Sequence, residues 1–120
     1  MTGVDREMNP KEKAIRRMSE KFSEKSVPWW MGGDYLQVHL QKKDAWHTLE
    51  VHVRAEDRDK ADRILTRLGM RQEDGTHLSF HFDGTDVDLV ADLPALSDAE
   101  LTLDTVTVQG APVPLLNLPA

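Results

Sequence analysis

The sequence predicts a single α+β domain with helices packed on one face of a mixed β-sheet. Three observations carry that reading: a charged N-terminal segment with one apolar stripe, a strictly alternating segment around Leu49, and a second half that runs at period two. A chain of 120 residues has material for one core, and 39% hydrophobic against 30% charged residues is the balance of a folded globular protein.

Taken in order, Met1 to Asn9 is polar and aperiodic and is expected to be a flexible tail, leaving one domain over 10–120. Pro10 suits a first helical turn, and Lys11 to Lys25 carries Ala14, Ile15, Met18 and Phe22 on one stripe, so this helix docks by one side. Val27 to Met31 is a short apolar run closed by Gly32 and Gly33, a first short strand. Asp34 is placed to cap a short helix over Tyr35 to Lys43, with Leu36 and Leu40 four apart. Thr48 to Val53 alternates strictly and is the clearest strand; Ala55 to Leu68 then has helical spacing, with Gly69 as its ending residue. Leu78, Phe80 and Phe82 form one strand, Asp83-Gly84 signals a hairpin turn, and Val87, Leu89 and Ala91 form the next. Leu93 to Glu100 reads as a connection, Leu101 to Val108 as a strand turning at Gln109-Gly110, and Pro112, Pro114 and Pro119 as an extended tail.

Composition narrows the function. A formal net charge of −6 supplies no broad basic surface for nucleic acid or an anionic membrane, so small molecules or proteins are the expected partners. The absence of cysteine excludes a thiolate nucleophile, a disulfide frame and a zinc-thiolate site. No apolar run approaches the roughly 20 residues of a membrane span and no signal-peptide core is present, so a cytoplasmic protein is expected.

If the apolar residues of the alternating strands face the core, then Thr48, Glu50, His52, His77, Ser79, His81, Asp86 and Asp88 share the opposite face. Period two alone does not separate a solvated face from a functional one. His77 and His81 lie about 13 Å apart along a strand, too far to chelate one metal by themselves. Trp29 and Trp30 read first as packing aromatics and second as a stacking platform; His39 and His47 read as structural, and Lys42 and Lys43 read first as solvated charges and second as cations near the cleft.

The succession Trp29 to Gly33, the helix ending in Val38-His39-Leu40, the strand His47 to Val51, the helix Asp57 to Gly69 and the strand Gly84 to Leu89 resembles the lincosamide and aminoglycoside nucleotidyltransferases, from about Trp29 to Leu118. The resemblance implies a nucleotidyltransferase fold, magnesium and a nucleoside triphosphate such as ATP as cofactors, and transfer to a hydroxyl of an antibiotic-like small molecule. It places Gly32 and Gly33 at the phosphates, where a bare backbone and the following helix start offer amide donors. It places the family's second and third carboxylates on Glu50 and Asp88, with Asp86 as a further metal ligand, to hold the cations that bridge phosphates. Thr48 stands where the family has its first Asp, a neutral hydroxyl that is a poorer ligand for a divalent cation. Asp34 follows the glycine pair and brings a negative charge toward the phosphate position.

Three functional readings follow. In the first, the fold is kept and the polar cleft is repurposed for another small-molecule reaction, with Glu50, His52, His81 and Asp88 as general acids and bases. In the second, the protein is an active magnesium-dependent nucleotidyltransferase. In the third, it is a non-catalytic binding or interaction module using Trp29, Trp30 and the Pro-rich tail. The chain ends at Ala120, before the C-terminal helices that complete the acceptor pocket in the resembled family, so either this is a short version of the fold or a homodimer supplies the missing walls.

Overall fold

The computed structural model describes residues 10–75 and 77–117. The elements are α1 (Pro10–Glu24), β1 (Trp30–Gly32), α2 (Gly33–His39), β2 (Thr48–His52), a 3-10 turn (Ala55–Asp57) leading into α3 (Arg58–Thr66), β3 (Met70–Asp74), β4 (His77–Phe82), β5 (Thr85–Val90), α4 (Asp98–Leu101), β6 (Thr102–Val108) and β7 (Ala111–Leu116). The expected tail, Met1 to Asn9, lies outside the described residues, as does Pro119.

The strands form one seven-stranded mixed sheet in the order β3-β4-β5-β2-β1-β7-β6. The central pair β2 and β5 is parallel and runs in register from Thr48–Asp86 to His52–Val90; β1 is antiparallel to β2 and parallel to β7. The apolar stripe of α1 is wholly buried at Ala14, Ile15, Met18 and Phe22, in one core with Leu49, Val51 and Val53 of β2 and its continuation, and α3 adds Ala61, Ile64 and Leu65 to it. Trp29 is core, its ring stacked on Phe22 at 5.5 Å. Ser19, on the buried side of α1, donates to the Pro112 carbonyl at 2.8 Å and fixes the helix on β7.

On the opposite face a smaller apolar cluster of Trp30, Leu101 and Leu116, flanked by Leu36, Leu93 and Leu96, closes one end of the sheet. The Trp30 indole N–H donates to Thr102 Oγ1 at 2.8 Å, and the Arg54 guanidinium lies 5.1 Å over the ring.

Several local expectations are corrected. The first strand begins at Trp30, not Val27, and α2 stops at His39, not Lys43. Asp34 does not cap α2: the N-cap is Gly32, and no side chain caps the helix. The proline-bearing tail is an inner strand, β7; it tolerates Pro112 and Pro114 because three-residue β1 meets it only at Leu115, leaving no second ladder beside either proline. Within the supposed connection, Ser97 and Glu100 form a complete capping box that starts α4. Met70–Asp74 forms a strand whose five residues are all exposed, so it shows no buried face by which periodicity could find it. Gly69 does follow a helix, but for a reason of space: a Cβ there would lie 2.3 Å from the His81 carbonyl oxygen.

Candidate functional site

Backbone pairing brings the polar residues of β1, β2, β4 and β5 into rows. Gly32 pairs with Glu50, Glu50 with Asp88 and Asp88 with Ser79; one row along, Thr48 pairs with Asp86 and Asp86 with His81. Neighbouring strands lie about 4.8 Å apart, so members of a row are direct side-chain neighbours.

The glycine pair sits on this face under tight constraint. A Cβ at Gly32 would lie 2.7 Å from His52 Nε2, and one at Gly33, whose φ is 63°, would lie 2.9 Å from Glu50 Cβ. The backbone at the start of α2 therefore rests on Glu50 and His52, and only glycine lets it do so.

His52 Nε2 and Glu50 Oε1 are 2.6 Å apart. A carboxylate only accepts, so Nε2 carries the hydrogen and donates; Nδ1 is buried and has no hydrogen-bond partner among the described residues. This bond is the main cause that holds the Glu50 carboxyl below its ordinary range; burial opposes it, the His52 charge adds to it, and Asp34 acts against it. Glu50 is 38% exposed and His52 only 8% by side chain. Glu50 is thus the group that meets solvent, while His52, covered by Gly32, orients it from beneath.

The other two carboxylates also have imidazole partners. His77 Nε2 lies 3.1 Å from Asp88 Oδ1, and His81 Nδ1 lies 2.7 Å from Asp86 Oδ1. The structure therefore gathers Gly32, Gly33, Glu50, His52 and Asp88, and leaves Asp86 and His81 together one row away with both side chains more than half exposed. Asp34 accepts a hydrogen bond from the Lys43 ammonium, which is the first cause lowering its carboxyl, with the His47 backbone as a lesser donor. The negative charge after the glycine pair is thereby balanced. His39, at the end of α2, pairs instead with Asp104 at 3.6 Å.

Two features of this donor set bear on magnesium. Among the described residues no group of three His, Cys, Asp or Glu lies close enough together to hold a metal ion. The inner oxygen of Glu50 already accepts from His52, Asp88 is engaged by His77, and neutral Thr48 stands beside Asp86 where a third carboxylate is needed. The residues do not fit a two-metal centre.

Sheet order, glycine turn and the two carboxylate strands define the class: a nucleotidyltransferase-fold domain. Solved structures with this fold include a candidate nucleotidyltransferase of Thermotoga maritima, with a TM-score of 0.65 at 17% identity over 88% of this chain and 76% of that one. They also include the aminoglycoside nucleotidyltransferase ANT(2″)-Ia in complex with adenylyl-2″-tobramycin, with a TM-score of 0.67 at 16% identity over 91% of this chain and 70% of that one. A solution structure of the same antibiotic-resistance factor gives 0.67 at 15% identity, over 88% of this chain and 64% of that one. No protein-family model matches the sequence, and no curated protein matches it. At these identities the likeness is one of fold. Among the described residues no helix is long and apolar enough to cross a membrane.

Proposed function

We propose that this chain is a divergent nucleotidyltransferase-fold protein that takes an amine-bearing, hydroxylated small molecule on the face around Glu50 and Asp88, by chemistry other than two-metal nucleotidyl transfer. The observation that carries the reading is the Gly32–Glu50–Asp88 row with His52 locked under Glu50. Glu50 is a carboxylate kept ionised and oriented, suited to bind an ammonium group. Asp88 with His77 forms a second carboxylate–imidazole pair on the neighbouring strand, and Asp86 with His81 adds negative charge at the rim. Such a face selects for cations, which fits the tobramycin derivative held by ANT(2″)-Ia.

Tobramycin is the direct probe. Calorimetric titration is expected to show saturable binding that Glu50→Ala and Asp88→Ala each weaken by about tenfold, the loss of one part-exposed charge contact. Absence of saturation at millimolar tobramycin, or the parent's affinity retained in both variants, overturns the reading. The same mixture with ATP and magnesium tests the second reading, which the nearness of Glu50 and Asp88 to the glycine turn favours. Adenylyl-tobramycin detected by mass spectrometry, and lost in Glu50→Ala, replaces our reading with nucleotidyl transfer.

A further inference from the structure

The face of α1 and α3 that turns away from the sheet encloses a groove of about 550 Å³. Its walls are Arg17, Lys21 and Lys25 along α1 and the residue after it, and Lys60, Arg63 and Arg67 along α3 and the residue after it. Glu24 is the one carboxylate in its lining against six cations, so the groove carries a formal +5 within a chain whose net charge is −6. The charge is therefore concentrated, not incidental to a basic protein.

Spacing explains how it forms. Residues 17, 21 and 25 are four apart, and 60, 63 and 67 are three and four apart, so each set makes one stripe. At 1.5 Å per residue each stripe is about 10 to 12 Å long. Within the groove, Arg17 is held by both oxygens of Asp83 at 2.8 and 2.9 Å, and Lys21 meets Glu24 at 3.5 Å. The side chains of Lys25, Lys60, Arg63 and Arg67 have no hydrogen-bond or ion-pair partner among the described residues. Clustered like charges oppose folding, and among the described residues none of these four is held in an ion pair. Between the stripes, Ile64 and Leu68 form an apolar floor.

We propose that this groove is an anion site, separate from the polar sheet face, for a compact polyphosphate-bearing small molecule of the nucleoside polyphosphate class. The volume is that of a small-molecule site, and two facing cation stripes about 10 Å long match a row of about three phosphates. The apolar floor gives a base or sugar a surface on which to rest. The site does not depend on the chemistry at Glu50, and the two are tested by different ligands.

Calorimetry with inorganic tripolyphosphate and with ATP, both without magnesium, tests it. One-to-one binding is expected, tighter for ATP than for tripolyphosphate and about tenfold weaker on going from about 50 to about 300 mM salt. The exposed pair Arg63→Glu and Arg67→Glu is expected to weaken both ligands at least about tenfold, with an unchanged far-ultraviolet spectrum. The milder pair Lys25→Gln and Lys60→Gln should weaken both about threefold, whereas Glu50→Ala should leave both unaltered. No saturation at millimolar tripolyphosphate or ATP, or the parent's affinity retained in both double variants, overturns the proposal. So does binding confined to oligonucleotides longer than the groove, which makes the surface a nucleic-acid interface instead.

Discussion

Glu50 concentrates the chemistry of the site in one side chain. Its carboxyl is lowered chiefly by the hydrogen bond from His52, so the bond strengthens folding only while Glu50 is ionised. Because the native value is depressed, the contribution is complete above the ordinary carboxyl value of 4.5 and is lost as pH falls through the lowered native value. Glu50→Gln is therefore expected to be less stable than the parent at pH 7, by about 1 kcal/mol or less given the 38% exposure of the side chain. Urea midpoints of the two proteins should converge in acid; a gap that stays constant below the carboxyl range contradicts this account. His52 lies deeper than its place in the alternation suggests. Period two puts it on the polar face, yet Trp30, its partner on β1, and Gly32 above it leave it buried.

At the scale of elements, the short β1 is anchored by what surrounds Trp30. Its indole N–H reaches Thr102 at the junction of α4 and β6, and Thr102 in turn donates to the Asp98 carbonyl at 2.7 Å. Thr102→Val keeps the shape and strands the buried indole donor, so we expect a loss of about 1 to 3 kcal/mol in denaturant unfolding. Adding Trp30→Phe, which removes that donor, should cost less in the Thr102→Val background than in the parent. Equal costs in both backgrounds would show that the bond is not a stabilising link. The capping box that starts α4 was present in the sequence as Ser97 and Glu100 three apart, but a four-residue helix has too few positions to show a period.

Across the whole molecule the charges are sorted by face: carboxylate–imidazole pairs on the open side of the sheet, a basic groove on the helical side. Arg17 joins the helical layer to the β4–β5 turn through Asp83, a residue with φ of 51° that is 14% exposed by side chain. Asp83→Asn preserves that backbone conformation, which Asn also tolerates, and removes the charge from a pair in which Arg17 Nη1 is shared between both carboxylate oxygens. Thermal unfolding is expected to register a loss of about 1 to 2 kcal/mol, reduced by the 32% exposure of Arg17. A variant as stable as the parent removes Asp83 as a tie between the layers.

Local periodicity was enough to recover α1, α3, the β4–β5 hairpin, the alternation of β2 and the polar face bearing Glu50 and Asp88. Those features depend only on backbone geometry, which repeats every 3.6 residues in a helix and every two in a strand, whatever the partner. Motif order across Trp29 to Leu89 was enough for the fold class. The remainder needed the folded chain. Register between β2 and β5 decides that Glu50 stands beside Asp88 and Thr48 beside Asp86, and no residue in either strand encodes its partner's number. Close approach makes Gly32, Gly33 and Gly69 obligatory, and the distances involved are to other strands, as from Gly32 to His52 and from Gly69 to His81. The groove arises from two cation stripes some forty residues apart, each an ordinary solvated helix face until tertiary packing sets them opposite one another.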